Sequence, residues 1–184
     1  MKQNTELRKL IKQFIRDTMQ DIMVEGRDEF NRNFERQAFF NQAWARRGDY
    51  DTDTTRALLI KSGRLRKSIT SRIEGDTIIY ETTLPYASIH NEGGEITVTR
   101  RMKGYFWHLY REAAGSRRAK KNGELRNDKR NRRLSDAAHF FRAMALKPVG
   151  STITIPCRRF IGEHPQFEAL IHKIVTENFN NIFQ

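Results

Sequence analysis

Apolar residues recur at helical spacing through the first part of the chain. Leu7, Leu10, Ile11, Phe14, Ile15, Met19, Ile22 and Met23 mark a stripe, and Phe30 and Phe34 continue it one turn apart. The pattern predicts a helix from about Thr5 to Phe40, bent or broken at Gly26. Such a stripe is core packing or a subunit interface, and spacing alone does not separate the two. Gly48 to Thr55 reads as a polar linker. Arg56 to Lys61 predicts a short helix ended by Gly63 in a left-handed cap. Leu65, Ile69 and Ile73 then introduce extended structure. Thr77 to Thr83 is rich in β-formers and follows the turn residues Gly75 and Asp76, which predicts an antiparallel hairpin.

After Pro85 the pattern shortens. Tyr86 to Asn91 predicts one helical turn closed by Gly93 and Gly94, and Glu95 to Arg100 alternates like a half-buried strand. Tyr105 to Ala114 has helical aromatic spacing. Ser116 to Arg133 is nearly devoid of large apolar residues and predicts a mobile stretch. Ser135 is the expected N-cap of a helix through Leu146, with Phe140, Phe141 and Met144 on its apolar side. Ser151 to Ile155 reads as a strand. Pro165 opens a final helix faced by Phe167, Leu170, Ile171, Ile174, Val175 and Ile182. The order is helix, hairpin, strand, helical excursion, strand, helix. It implies an α+β fold: a small antiparallel sheet packed with long N- and C-terminal helices. We expect a single domain over residues 1–184, with a basic, partly flexible helical insertion at 100–148.

Composition sharpens this picture in one place. The 184-residue chain carries net charge +12. Arg100 to Arg133 holds thirteen Lys and Arg against Glu112, Glu124 and Asp128, so a surplus of ten lies in that one segment. Such a block attracts polyanions without reading sequence. It is equally the composition of a solvated loop. No apolar run approaches the ~18 residues that span a bilayer, and no signal-peptide core follows the N-terminus. A soluble product made in the cytoplasm is expected, with no membrane partner. Cys157 is the one cysteine, which excludes an internal disulfide and a multi-cysteine zinc site.

Candidate chemistry is sparse. His90, His108, His139, His164 and His172 are scattered, with no pair at metal-binding spacing. His90 near Glu92 suggests at most a general-base pair or a nuclease fragment, which would still need carboxylates holding a divalent ion. Asp49, Asp51 and Asp53 resemble the start of a calcium loop, but Ile60 stands where its closing glutamate belongs. An ordinary loop with a helix cap is the competing reading. Ser62-Gly63 lacks the setting of a hydrolase nucleophile, and Cys157 after Pro156 reads as an unreactive strand-end residue. We therefore expect no enzyme, no metal and no cofactor.

Three segments carry more information together than apart. They are Leu59-Ile-Lys-Ser-Gly-Arg-Leu-Arg-Lys-Ser-Ile69, Tyr86-Ala-Ser-Ile-His-Asn-Glu-Gly-Gly94 and Ile155-Pro-Cys-Arg-Arg-Phe-Ile-Gly162. With Trp44 ahead of them, their order resembles the phage virion morphogenesis family, over roughly residues 30–180 apart from the excursion. The family pattern is a leading helix, a Trp, then Leu-x-x-(Ser/Thr)-Gly-x-Leu-x-x-Ser-Ile, matched at Leu59, Ser62, Gly63, Leu65, Ser68 and Ile69. Its second signature is met by Tyr86, Ala87, Ile89, His90, Gly93 and Gly94, and its third by Ile155, Pro156, Arg158, Phe160 and Gly162. The residues themselves read as turn glycines and core anchors. Arg158, Arg159 and His90 are candidates for polar subunit contacts.

The resemblance implies a structural protein of tail completion or the head–tail neck, acting by self-assembly into a ring. Its implied partners are further copies of itself and phage tail and head-connector proteins. Its implied place is the head–tail junction of the virion, after assembly in the host cytoplasm. About 60 residues separate the second and third signatures, where the family often has fewer. The cations there are Arg117, Arg118, Lys120, Lys121, Arg126, Lys129, Arg130, Arg132 and Arg133, which could face DNA in the lumen, face a partner, or stay disordered until assembly. The rival class is a stand-alone basic nucleic-acid-binding protein, marked by tight DNA binding as a monomer.

Overall fold

A computed structural model describes residues 2–46 and 57–183. The elements in chain order are α1 (Lys2–Arg36), β1 (Ala38–Phe39), β2 (Gln42–Ala43), α2 (Arg64–Lys67), β3 (Thr70–Glu74), β4 (Thr77–Glu81) and α3 (Ala87–Glu92). They continue with β5 (Gly94–Thr97), α4 (Arg100–Gly115), α5 (Lys129–Leu146), β6 (Thr152–Ile155) and α6 (Pro165–Phe183). The fold is α+β. Among the described residues its β-structure is three separate two-stranded antiparallel ladders, β1–β2, β3–β4 and β5–β6, rather than one sheet. The linker Gly48 to Thr55, with Asp49, Asp51 and Asp53, lies outside the described residues.

The chain forms two compact units. One comprises Met1–Trp44, Leu59–Glu92 and Arg158–Gln184, and the other Ala45–Leu58 and Gly93–Cys157. In the first unit α1 runs unbroken through Gly26, contrary to the expected bend. The reason for the glycine is space. A Cβ there would run into the Tyr80 hydroxyl and come within 3.0 Å of the Phe167 ring. That hydroxyl instead donates to the Ile22 carbonyl one turn back, at 2.6 Å. The hairpin β3–β4 has the expected Gly75-Asp76 turn, with Glu74 opposite Thr77.

Helix α6 packs antiparallel on α1: Phe183 meets Phe14, Asn178 donates to Asp21 at 2.8 Å, and Phe167 meets Phe30 at 4.8 Å. The core is aromatic. Phe30, Phe34 and Phe160 are almost wholly buried, and Phe34 contacts Phe160 at 5.2 Å and Trp44 at 5.5 Å. Glu29 is buried on the flank of α1. Burial alone would raise its pKa, but hydrogen bonds from Arg36 and Arg32 outweigh this and hold it below the ordinary value.

Three sequence expectations are corrected here. Helix α1 stops at Arg36, not Phe40, because Gln37 turns left-handed (φ 56°) and a tight ladder, Ala38 to Ala43, follows. No helix forms over the described part of Arg56 to Lys61. The helical turn comes later, as α2, which places Leu65 in helix rather than strand. Gly63 is left-handed (φ 68°) as expected, but it precedes α2 instead of ending a helix. Burial of Leu65 and Ile69 favours the turn on that side of the glycine.

In the second unit β5 and β6 pair across the intervening helices, Gly94 opposite Ile155 and Thr97 opposite Thr152. Gly93 has φ 76°, and a Cβ on it would lie 2.8 Å from the Cys157 nitrogen, so only glycine fits. Helix α4 begins at a Thr99 cap, whose hydroxyl accepts from Met102 N at 3.2 Å. Helices α4 and α5 form an antiparallel hairpin. Phe106 lies against Phe140 and Phe141, and Ala113, Ala138 and Ala145 are buried. The N-cap of α5 is Asp128, not Ser135, which lies inside the helix. Asp128 Oδ1 accepts from Asn131 N at 2.7 Å.

Candidate functional site

In the first unit His90 and Asn91 of the second signature segment hold one backbone stretch of the third, Arg158 to Ile161. Arg158 N donates to the His90 carbonyl at 2.8 Å. Asn91 Oδ1 accepts from Phe160 N at 2.8 Å and Ile161 N at 3.1 Å, while its Nδ2 donates to Ile161 O at 3.1 Å. Trp44 Nε1 donates to Arg159 O at 2.6 Å, and Asn33 Nδ2 to Phe160 O at 3.2 Å. Four consecutive residues are thus clamped by α1, by α3 and by the residue after β2. Phe160 is driven inward onto Phe34. The chain leaves this unit after Glu92 and re-enters it at Arg158, so the clamp ties together the two ends of that excursion.

The remaining signature residues have local tasks. Ser68 Oγ donates to Leu65 O at 2.8 Å and meets Thr82 Oγ1 at 2.6 Å, joining the end of α2 to the residue just after β4. Ala87 is buried under α3, and Ile89 is half-buried. Arg158 is buried, whereas Arg159 is exposed with its guanidinium near the Phe39 ring. Pro156 is half-buried, and Gly162 lies in an extended left-handed conformation, φ 152°. Tyr86 is exposed, its ring edge-on to His90.

His90 does not have the setting of a general base. Its Nδ1 is buried without a hydrogen-bond partner, and no hydrogen bond joins it to Glu92. Burial, and then the nearby Arg158 charge, push its pKa below the ordinary value, so the ring is held neutral. His164 is structural. It stacks on Phe40 at 4.4 Å, and its Nδ1 accepts from Gln166 N at 3.1 Å at the start of α6. That fixes the proton on Nε2, which faces Asn41 Oδ1 at 3.2 Å. Among the described residues no group of three or more His, Cys, Asp or Glu could hold a metal ion. Nor is any helix among them long and apolar enough to cross a membrane.

The basic segment is ordered around one buried side chain. Asn131, 3% exposed, accepts from Arg118 N at 2.9 Å and donates to Arg118 O and Arg126 O, both at 2.7 Å. A bridge between Ala119 and Leu125 closes the loop. Arg118, Lys120, Lys121, Arg126, Lys129, Arg130, Arg132 and Arg133 are exposed; Arg117 is half-buried and donates to Ala114 O. Sequence reasoning missed Asn33, Asn91 and Asn131. Asn91 stands at a variable position of the second signature, Asn33 follows Asn31 and Arg32, and Asn131 stands between arginines. An uncharged amide in that last setting is the one signal that could have flagged Asn131.

Among the described residues, the amide clamp and the aromatic core serve the packing and backbone order of the fold. The model of the Phage virion morphogenesis family matches residues 5–180, and the chain belongs to that family. Its role is structural, in building a phage virion. No curated protein and no solved structure matches it.

Proposed function

We propose that this protein completes the tail or neck of a tailed phage and joins heads to tails, assembling into a ring at the head–tail junction. The family match along nearly the whole chain carries this reading. The shape of α1 supports the self-assembly part. The ring contacts of α6 reach back along α1 as far as Phe14, and residues 4–13 are all exposed. This overhang presents Leu7, Leu10 and Ile11, each at least 40% exposed. A second copy covering it would bury that surface, and its neighbours in a ring and the adjoining tail and connector proteins would share the remaining faces. No bond is made or broken in this mechanism; buried apolar area and charge pairing provide the association energy.

We read the clamped first unit as the family scaffold and residues 100–148 as the addition particular to this chain. Electron microscopy of particles produced without the protein tests the role. Filled heads separated from tails are expected, and normally joined virions would overturn it. A stand-alone nucleic-acid-binding protein would leave virion joining intact.

A further inference from the structure

We propose that the tip of the α4–α5 hairpin is a preorganised surface for the phosphate backbone of a nucleic-acid duplex, shaped by the buried side chain of Asn131. The inference rests on the geometry of this unit alone and stands or falls independently of the neck reading.

Eight exposed cations and half-buried Arg117 lie between Arg117 and Arg133. Among the described residues, the one ion pair in this segment is Lys120 with Glu124, at 3.1 Å. Asp128 is committed to capping α5 through Asn131 N. Lys129, Arg130, Arg132 and Arg133 crowd the first turns of α5. There, like charges three and four residues apart repel, and the helix dipole disfavours cations. Among the described residues no ion pair to these four cations offsets that cost, whereas a polyanion would.

Order matters as much as charge. Asn131 fixes both strands of the loop that carries Arg118, Lys120, Lys121 and Arg126. Little backbone freedom there remains to be lost on binding. Six of the nine cations are arginines, which suit bidentate phosphate contacts.

What the tip lacks selects the partner. Ser116 to Arg133 contains no aromatic residue, so unpaired bases have no stacking platform. Its one large exposed apolar side chain is Leu125. A protein interface needs an apolar centre depleted of charge, and a membrane surface needs groups to insert. A duplex backbone needs neither. Binding would be non-specific in sequence and steep in salt.

The test is fluorescence anisotropy of the full-length chain with random-sequence duplex DNA of about 30 base pairs, titrated between about 50 and 200 mM NaCl. With about six cations engaged, affinity should fall on the order of a thousandfold over that range and be the same for unrelated sequences. The exposed quadruple variant K129Q/R130Q/R132Q/R133Q should keep its circular dichroism and lose about 3 to 4 from the logarithmic salt slope. Asn131→Ala removes no charge. It should lower affinity while the amides of Arg118 and Arg126 lose hydrogen-exchange protection. Three outcomes would overturn the proposal: no binding at the lowest salt, an unchanged slope in the quadruple variant, or displacement by poly-glutamate at equal charge concentration, which would mark an acidic protein as the partner. Unchanged affinity in a folded Asn131→Ala chain would remove the positioning role.

Discussion

Single side chains in this protein act mainly on backbone. Asn33 is the clearest case. It is completely buried, and its two amide atoms serve Phe160 O and Phe40 N, at 3.2 and 2.9 Å. The second bond holds Phe40 in a left-handed conformation, φ 53°, from which its ring stacks on His164. Tyr80 offers a measurable consequence at this scale. Burial pushes its phenol up to about 12 from the ordinary 10.0. The folded chain therefore keeps a proton that the unfolded chain releases in that interval, and stability falls as pH rises through it. In urea unfolding on either side of the ordinary phenol pKa, Tyr80→Phe should show a shallower alkaline loss than the parent. Parallel losses would show that Tyr80 is not responsible.

Between elements, the fit of the β3–β4 hairpin on α1 depends on a missing side chain. In an open helix, glycine to alanine gains about 0.8–1 kcal/mol. At Gly26 we expect a net loss of about 1–2 kcal/mol, because the new methyl overpacks against Tyr80 and Phe167. With Tyr80→Phe in the background the nearest atom is gone, so Gly26→Ala should cost less there. A double-mutant cycle by denaturant unfolding measures the difference. A stabilised Gly26→Ala in the parent chain would show that the contact yields freely. The periodicity located α1, the β3–β4 hairpin and α6, but it began α5 at Ser135, which lies inside that helix. It misread Gly26 because one-dimensional spacing cannot distinguish a glycine that bends a helix from one that another element approaches. The end of α1 was also illegible: Gln37 turns left-handed there, and the Asn33 amide takes the Phe40 N–H beyond it, which spacing of apolar residues does not record.

For the molecule as a whole, the unresolved reading of the α1 stripe, core or interface, divides by position. From Phe14 onward α6 and the hairpin cover most of it, although Ile15 is still 47% exposed, whereas residues 4–13 are all exposed. Leu10→Glu with Ile11→Glu should leave monomer stability within about 0.5 kcal/mol, since both are exposed in the isolated chain. The same pair should abolish higher oligomers in sedimentation velocity. Oligomers that persist would place the subunit interface elsewhere.

The sequence alone determined the α+β class, the two terminal helices, the β3–β4 hairpin and the location of the charge. These depend on period, turn residues and composition, which are local. Its ordered signatures also identified the family, though not what the signature residues do. Only the tertiary structure showed that the second and third signatures meet on the backbone of Arg158 to Ile161 and that three asparagines organise both the clamp and the basic tip. An amide's hydrogen bonds are satisfied by partners up to 127 residues away, and no local pattern encodes where those partners will stand.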